Sequence, residues 1–214
     1  TEVSFLWRLS AERSDGYCSV SMIVPCPPDT KVRDLTIETD VQSLSSDRSR
    51  SVSEETLEWN QEDIDLIERL MSEHNLLPSG FIAIGPSASQ PLKCWPLLHF
   101  THLTEMLIQS GWKIVLVGGP DEPEPELLEE EFGDKIINLA GRLSPLQTAE
   151  LLRNAKYLVA NDTSLVHLAE AMGTPSTAIF GPTVREFGYA PFLAESKLME
   201  TTLPLSCRPC TPNG

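Results

Sequence analysis

The stretch that decides the fold is YLVANDTSLVHLA, at residues 157–169. Its first four residues are apolar or aromatic, as in a buried strand, and residues 163–172 have the spacing of an amphipathic helix. A strand that runs directly into a helix is typical of a parallel sheet, in which helices connect neighbouring strands. We therefore expect a strand over 157–160 and a helix over 163–172.

The same alternation of strand and helix continues on both sides of this stretch. Further strands are predicted at residues 81–85, 112–117, 135–139, 176–180 and 197–201. Further helices are predicted from Pro96 to Gly111, over residues 124–132, and from Ser144, as N-cap, to Ala155. This pattern predicts an α/β fold, a Rossmann-like parallel sheet with helices on both faces. In such sheets ligands bind beyond the carboxyl ends of the strands.

The chain divides near residue 78. Before this point, a short strand at 19–24 is followed by proline-rich sequence and then by a polar, serine-rich tract at 43–53. Helical spacing with Ser53 as the N-cap predicts one helix over 53–75. We expect residues 1–78 to be an irregular N-terminal segment and residues 79–214 to be a ligand-binding α/β domain.

Composition argues against several classes of protein. The 214 residues include 16 Lys and Arg against 31 Asp and Glu, a net charge of −15, which disfavours binding to nucleic acid or broadly to anionic lipid. No apolar run approaches the roughly 20 residues that a membrane-spanning helix needs. The five cysteines are odd in number and scattered, unlike a secreted disulfide framework. We therefore expect a cytoplasmic protein.

The junction between the strand and the helix at residues 161–169 is the strongest candidate site. The first N–H groups of a helix lack internal partners and carry partial positive charge, which suits an anion such as a diphosphate. Thr163, Ser164 and His167 share one flank of the predicted helix. A separate stripe is expected to face the sheet and comprises Leu165, Leu168, Ala169 and Met172. The alternative is that Asp162 is a simple N-cap and His167 an ordinary surface histidine.

The loop GPSASQPLKCWP, at residues 85–96, is a second candidate. Its small residues allow a ligand to approach the backbone closely, and Lys93 could neutralise phosphate charge. The loop is neither a Walker sequence nor a dinucleotide fingerprint, because it lacks the glycine spacing of both. The alternative is that Lys93 is a solvated loop lysine.

The turn GGPDE, at residues 118–122, is a third candidate. A carboxylate just past a strand end, such as that of Glu122, could accept hydrogen bonds from ribose or sugar hydroxyls. The alternative is a solvated acidic turn, since acidic residues continue to Glu131.

Two other chemistries are disfavoured. Cys207 and Cys210 resemble half of a zinc site, but no second pair of ligands is present, so no metal site is predicted. The Gly-x-Ser-x-Gly nucleophile elbow of serine hydrolases is also missing from the sequence.

Residues 80–210 resemble the C-terminal domain of glycosyltransferase family 9, the ADP-heptose:lipopolysaccharide heptosyltransferases. The motifs that carry the resemblance are GPSAS at 85–89, KCWP at 93–96, VGGPDE at 117–122, NLAG at 138–141, NDTSLVHLA at 161–169, GTP at 173–175, FGPT at 180–183 and LSCRPC at 205–210. Each block alone is weak, but their order over some 130 residues is specific.

The resemblance implies the donor-binding half of a two-domain GT-B enzyme. Such an enzyme would transfer a heptose or related sugar from an ADP-sugar donor to a lipopolysaccharide core or similar glycan, with inversion and without a metal or other cofactor. The implied donor-binding residues are Lys93, Ser89, Thr163, Ser164 and His167 for the diphosphate, Glu122 for ribose and Asp162 for the sugar. Charge on the leaving ADP would develop beside a lysine and a helix N-terminus, which can stabilise it.

The sequence also departs from the family pattern. Ser164 stands where the family usually has glycine, and residues 1–78 are too short for an acceptor domain, so they are expected to be its remnant plus a linker. The catalytic base is expected outside this chain, and so is a final C-terminal helix.

The resemblance also carries expectations about partners and location. The expected location is cytoplasmic, with peripheral contact at the inner membrane face through the missing domain, and the expected acceptor is a lipid-linked or lipopolysaccharide glycan. Three alternatives remain: a non-catalytic GT-B-like binding protein, a nucleotide-sugar epimerase, and a nicotinamide oxidoreductase, the last disfavoured by the missing fingerprint.

Overall fold

The computed structural model describes residues 5–13, 16–24, 61–201 and 205–210. The chain forms two compact units, Thr1–Leu57 and Glu58–Gly214. In the first unit, strands β1 (Phe5–Arg13) and β2 (Gly16–Val24) pair antiparallel, and the strand predicted at 19–24 is the second half of β2. The polar tract at 43–53, with Ser53, lies outside the described residues.

The second unit is built on a six-stranded sheet with the order β5-β4-β3-β6-β7-β8, in which every neighbouring pair is parallel. Its strands are β3 (Phe81–Gly85), β4 (Lys113–Leu116), β5 (Ile136–Asn138), β6 (Tyr157–Asn161), β7 (Ser176–Phe180) and β8 (Lys197–Glu200). Its helices are α1 (Gln61–Glu73), α2 (Leu97–Gln109), α3 (Pro123–Phe132), α4 (Pro145–Asn154) and α5 (Ser164–Ala171). The predicted α/β fold is confirmed.

The order of the strands fixes where a ligand can bind. From β3 the chain goes first to β4 and β5 on one side and then returns to β6, on the other side of β3. The connections that follow β3 and β6 therefore diverge and leave a crevice at the carboxyl ends of these two strands. Both strands are buried along their whole length, so their ends are held rigidly at this crevice.

Helix α1 belongs to the second unit, although the sequence placed it before the domain boundary near residue 78. Its buried residues Ile67 and Met71 are part of the same apolar core as Leu151 and Leu152 of α4. Gln147 of α4 also donates a hydrogen bond of 2.7 Å from Nε2 to Asp63 Oδ1. The boundary in the structure falls between Leu57 and Glu58, because α1 has to cover its apolar face and does so against α4.

The ends of the helices follow local chemistry. Ser144 caps α4 as predicted, since its Oγ accepts from Gln147 N at 3.2 Å and Gln147 Oε1 accepts from Ser144 N at 2.9 Å. Helix α2 begins one residue later than predicted, because Pro96 has a ψ of 133° and is the N-cap. Within the described part of the chain, no helix has the length and apolar character that crossing a membrane requires.

Candidate functional site

A cavity of about 610 Å³ opens beyond the carboxyl ends of the strands. Its walls come from the loops that follow β3, β4 and β6 and from the first turns of α4 and α5. All the candidate donor-binding residues named from the sequence line it: Ser89, Lys93, Glu122, Asp162, Thr163, Ser164 and His167. The fold thus brings three separate sequence motifs to one place.

Asp162 is the centre of this site. Its side chain is nearly buried, and Oδ2 accepts a hydrogen bond from Thr183 Oγ1 at 2.7 Å and lies 2.8 Å from Lys93 Nζ. The N-cap of α5 is Thr163, one residue later. The alternative interpretation of Asp162 as a simple N-cap is therefore wrong.

Lys93 is not a solvated loop lysine. Its side chain is 13% exposed and ends in the ion pair with Asp162, inside the wall of the cavity. A lysine that is nearly buried and held by a single carboxylate keeps two of its three ammonium protons for other acceptors. An anion that enters the cavity would meet this positive charge directly.

The N-terminus of α5 is open to the cavity. No side chain caps this helix, and Thr163 Oγ1 is buried without a hydrogen-bond partner among the described residues. An unsatisfied buried hydroxyl costs about 1–3 kcal/mol, so a ligand atom that bonded to it would be favoured. Ser164 and His167 are exposed on the same side of the helix, as their spacing predicts.

The predicted core-facing stripe of α5 is only partly right. Val166, Ala169 and Glu170 are the buried residues of the helix. Leu165 and Leu168 are half-buried, pack against the core as predicted and also line the cavity. Leu165 lies against the glycine that ends β3. A β-carbon at Gly85 would lie 2.5 Å from Leu165 Cδ1, so Leu165 fills the space that Gly85 leaves at the rim.

Glu122 lies against the loop that follows β4. A β-carbon at Gly119 would lie 3.0 Å from Glu122 Oε1, and one at Gly118 would collide with Oε2. The two glycines therefore let the carboxylate fold back over the backbone at the edge of the cavity. This contact argues against the alternative of a fully solvated acidic turn.

Sequence reasoning missed several residues that hold the site together. Ser87 is buried, lines the cavity and donates to Glu124 Oε2 at 2.7 Å. The ring of Tyr189 meets His167 edge-on, with 6.4 Å between the ring centroids. Tyr189 follows a glycine in a segment without periodicity, so no local signal identified it.

The segment that carries Tyr189 is tied to α5 by a buried carboxylate. Glu170 is 3% exposed and accepts hydrogen bonds from the backbone N–H groups of Phe192 and Leu193 and from Ser196 Oγ. Each of these partners lies more than 20 residues away in sequence. The carboxylate therefore fixes the chain that leads to β8.

The thiol of Cys94 is a poor candidate for a nucleophile. Burial raises the pKa of the Cys94 thiol, the hydrogen bond with Ala88 O opposes this, and the charges of Glu124 and Glu122 raise the pKa further. The raised pKa makes this thiol a poorer nucleophile than an ordinary cysteine. Within the described residues, no three His, Cys, Asp or Glu side chains are grouped as a metal ion would require.

Comparison with known proteins gives a consistent result. The sequence matches the model of glycosyltransferase family 9 (heptosyltransferase) over residues 32–212. The lipooligosaccharide heptosyltransferase 2 of Haemophilus influenzae is 37% identical over 102 residues, which cover 45% of this chain and 30% of that protein. The chain thus spans about a third of the length of this relative.

Solved structures give the same match. A family 9 glycosyl transferase from Veillonella parvula superposes with a TM-score of 0.63 and 26% identity, over 70% of this chain and 44% of that one. The Escherichia coli heptosyltransferase WaaC, solved with ADP-2-deoxy-2-fluoro heptose, superposes with a TM-score of 0.50 and 27% identity, over 59% of this chain and 38% of that one.

Proposed function

The chain belongs to glycosyltransferase family 9, and from this premise we propose that its α/β unit holds the ADP-sugar donor of a heptosyltransferase. The enzyme would transfer a heptose or a related sugar to a lipopolysaccharide core or similar glycan. The observation that carries the proposal is the convergence of Lys93, Asp162 and the uncapped N-terminus of α5 in one cavity. Its relatives include a lipooligosaccharide heptosyltransferase and an enzyme solved with an ADP-heptose analogue.

The diphosphate of the donor would lie between the loop after β3 and the start of α5. Lys93 supplies a positive charge, and Ser89 of the same loop also lines the cavity. The first residues of α5, whose N–H groups have no side-chain cap, line the same space. The unpaired hydroxyl of Thr163 is buried beside them. Ser164 and His167 would complete the shell on the exposed side.

The hydroxyl groups of the donor would meet the two carboxylates. The contacts described for Asp162 both use Oδ2, so Oδ1 is available to accept from the transferred sugar. Glu122, from the loop after β4, also lines the cavity and would accept from the ribose. A carboxylate repels phosphate, so neutral hydroxyls are the reasonable targets of both groups.

The chemistry that these residues supply is stabilisation of the leaving group. Negative charge would grow on the diphosphate as the glycosidic bond breaks, and Lys93 with the α5 N-terminus would stabilise it. We propose an inverting, metal-independent transfer, with the general base in the acceptor-binding half of the enzyme. We assign no base to the described residues.

The remaining parts of the chain fit this scheme. Residues 58–214, which include α1, would be the donor domain, and residues 1–57 would derive from the acceptor domain and its linker. The net charge of −15 disfavours adsorption of this chain to anionic lipid. Contact with the inner membrane face would therefore run through the acceptor half of a cytoplasmic enzyme.

Calorimetric titration with ADP, ADP-heptose, UDP and NAD tests the proposal. We expect ADP and ADP-heptose to bind, and UDP and NAD to bind far more weakly. At 100 times its dissociation constant, a bound ligand should raise the free energy of unfolding by about 2.7 kcal/mol. Lys93→Ala should weaken binding of ADP, and Asp162→Asn should weaken binding of ADP-heptose more than that of ADP.

Lys113 provides a matched control. Its ammonium group also donates to protein oxygens, His74 O at 3.0 Å and Asn75 O at 2.6 Å, but it starts β4 and does not line the cavity. Lys113→Ala should leave ADP affinity unchanged. A folded chain that bound none of the nucleotides, or that bound UDP more tightly than ADP as an epimerase of UDP-sugars would, would contradict the proposal.

A further inference from the structure

Asn161 holds both ends of the loop that carries Lys93. The side chain is fully buried at the end of β6. Its Nδ2 donates to Pro86 O at 2.7 Å, and its Oδ1 accepts from the backbone N–H of Trp95 at 2.9 Å. Pro86 directly follows β3 and Trp95 directly precedes Pro96, the N-cap of α2. One amide therefore closes the whole connection between strand and helix.

This position requires an amide. The side chain has to donate to a carbonyl and accept from an N–H at the same time, which Asn does with its two amide atoms. A carboxylate would place charge against Pro86 O and beside Asp162, and an alanine would leave a buried carbonyl and a partly buried N–H unpaired. In a buried site such unpaired groups are costly, so the loop would shift to regain contact with water.

Besides Asn161, the loop is tied to a distant element by the hydrogen bond of Ser87 to Glu124 of α3, near its start, and by the ion pair of Lys93. The backbone hydrogen bonds around Lys93 are local. Lys93 N donates to Gln90 O at 2.9 Å and Cys94 N to Pro91 O at 3.2 Å, which shape a single turn but do not attach it to the sheet. The far end is also anchored through Trp95, whose ring packs edge-on against the fully buried Phe100 at 5.1 Å. Asn161 thus links the loop to the rigid end of β6.

We propose that Asn161 is a positioning residue that places Lys93 in the cavity. Asn161 and Asp162 are adjacent, so one turn of chain supplies both the anchor of the loop and the partner of its lysine. The expectation for ligand affinity rests on the proposed function, whereas the anchoring itself does not. We expect Asn161→Ala to lower the affinity for ADP about tenfold, as for loss of a modest hydrogen-bonded constraint.

A double-mutant cycle separates positioning from general destabilisation. ADP affinity is measured by calorimetry for the whole chain, for Asn161→Ala, for Lys93→Ala and for the double variant. If Asn161 acts through Lys93, the tenfold loss appears in the wild-type background and vanishes when Lys93 is already alanine. An equal loss in both backgrounds, or no loss in either, would overturn the proposal.

Asn138 offers a matched control. It is buried at the end of β5, donates from Nδ2 to Glu129 Oε2 at 2.8 Å and accepts at Oδ1 from Ala140 N at 3.1 Å. None of these residues lines the cavity. Asn138→Ala should therefore destabilise the chain while ADP affinity is kept, and a tenfold loss with this variant too would count against a special role for Asn161.

Two measurements on the ligand-free chain distinguish failure of this proposal from failure of the proposed function. Hydrogen exchange at the Trp95 amide should accelerate in Asn161→Ala but not in Asn138→Ala, and acetic anhydride should label Lys93 faster. If the wild type binds no ADP, the donor proposal fails. If hydrogen exchange at Trp95 and labelling of Lys93 are the same in Asn161→Ala as in the wild type, the anchoring by Asn161 is overturned as well. If Asn161→Ala does not fold, Asn161→Ser, which keeps a small polar group in the buried space, takes its place in every comparison.

Discussion

At the scale of single residues, the most consequential interaction of the site is the ion pair between Asp162 and Lys93. One carboxylate oxygen accepts from Thr183 and lies against Lys93, and the side chains of Lys93 and Asp162 are 13% and 7% exposed. An ion pair this far from water is weakly stabilising as a unit, but loss of one partner leaves an uncompensated charge. The pair is therefore held in place by the cost of breaking it.

This argument predicts an asymmetry between single and double variants. Lys93→Ala should lower the free energy of unfolding by about 1–3 kcal/mol, since Thr183 still donates to the stranded carboxylate and the cavity admits water. The double variant Lys93→Met/Asp162→Asn should regain at least half of this loss, because no charge remains buried. Urea unfolding of the three proteins measures both values, and a double variant less stable than Lys93→Ala would contradict the argument.

Cys94 supplies a second prediction at this scale. Because burial raises the pKa of its thiol, less thiolate is present at pH 8 than for an ordinary cysteine. Iodoacetamide should therefore modify Cys94 about tenfold more slowly than the exposed Cys207 and Cys210, and the rate at Cys94 should rise as the pH is increased. Peptide mass spectrometry gives the rates, and in urea the three should converge.

At the scale of elements, Tyr157 joins the last three strands. Its hydroxyl lies within hydrogen-bond distance of Ser176 O (3.0 Å) and Thr177 Oγ1 (3.1 Å) of β7, and of Glu195 O (3.3 Å), which precedes β8. Burial raises the pKa of the Tyr157 phenol, the hydrogen bond with Thr177 opposes this, and the charges of Glu170 and Glu195 raise it further.

Because the pKa of Tyr157 is raised in the folded state, the free energy of unfolding should depend on pH in a predictable direction. A phenol whose pKa is raised in the folded state stabilises the fold fully below its unfolded pKa of about 10. This stabilisation is lost as the pH rises through the folded pKa. Tyr157→Phe should cost about 1–2 kcal/mol at pH 7, and the gap to wild type should shrink from about pH 9 to pH 11. Urea unfolding of both proteins at these pH values tests this prediction. A difference in the free energy of unfolding that widened above pH 10 would contradict it.

The segment 205–210 makes a second link between elements. Arg208 donates from Nε to Gly181 O at 2.9 Å and from Nη2 to Thr183 O at 2.6 Å, and it pairs with Glu200 of β8. The Thr183 hydroxyl in turn holds Asp162. The C-terminal segment thus supports the turn after β7 and, through it, the carboxylate in the cavity.

We expect Arg208→Ala to lower the free energy of unfolding by about 1–2 kcal/mol, because two backbone carbonyls and a carboxylate lose a shared donor. Arg208→Lys should recover only the pairing with Glu200, since an ammonium group lacks the planar fork that reaches two acceptors. Thermal unfolding of both variants gives the comparison. Full recovery by lysine would show that charge alone matters at this position.

At the scale of the whole molecule, strands and candidate site residues could be predicted from the sequence wherever the pattern that indicates them is local. Strands β3 and β7 lie where they were predicted, at 81–85 and 176–180, because short apolar runs end at glycine. The candidate site residues also follow from position, since each comes just after a strand of a parallel sheet. The strand ends of β4 and β5 were predicted one residue too long at each side.

The contacts that organise the site were not predictable in this way. Asn161 bonds to Trp95 across 66 residues and Ser87 to Glu124 across 37. A polar side chain that pairs with a distant element leaves no periodic pattern, and its partner is known only when the strand order is known. The prediction that α1 lies outside the α/β unit was wrong for the same reason. The sequence shows that the helix has an apolar face but does not show what covers it.

The position of α1 leads to a prediction about the smallest stable unit. Ile67, Met71 and Leu76 are at most 7% exposed and belong to the core that includes Leu151 and Leu152. A fragment that begins at Glu58 keeps this cover, whereas one that begins at residue 79 exposes the apolar face of α4. At about 25 cal/mol per Å² of exposed apolar surface, the shorter fragment should be less stable by roughly 3–5 kcal/mol. Urea unfolding of fragments 58–214 and 79–214 decides the question: equal stability would restore the boundary near residue 78, while a folded longer fragment and a marginal shorter one would make α1 an integral part of the unit.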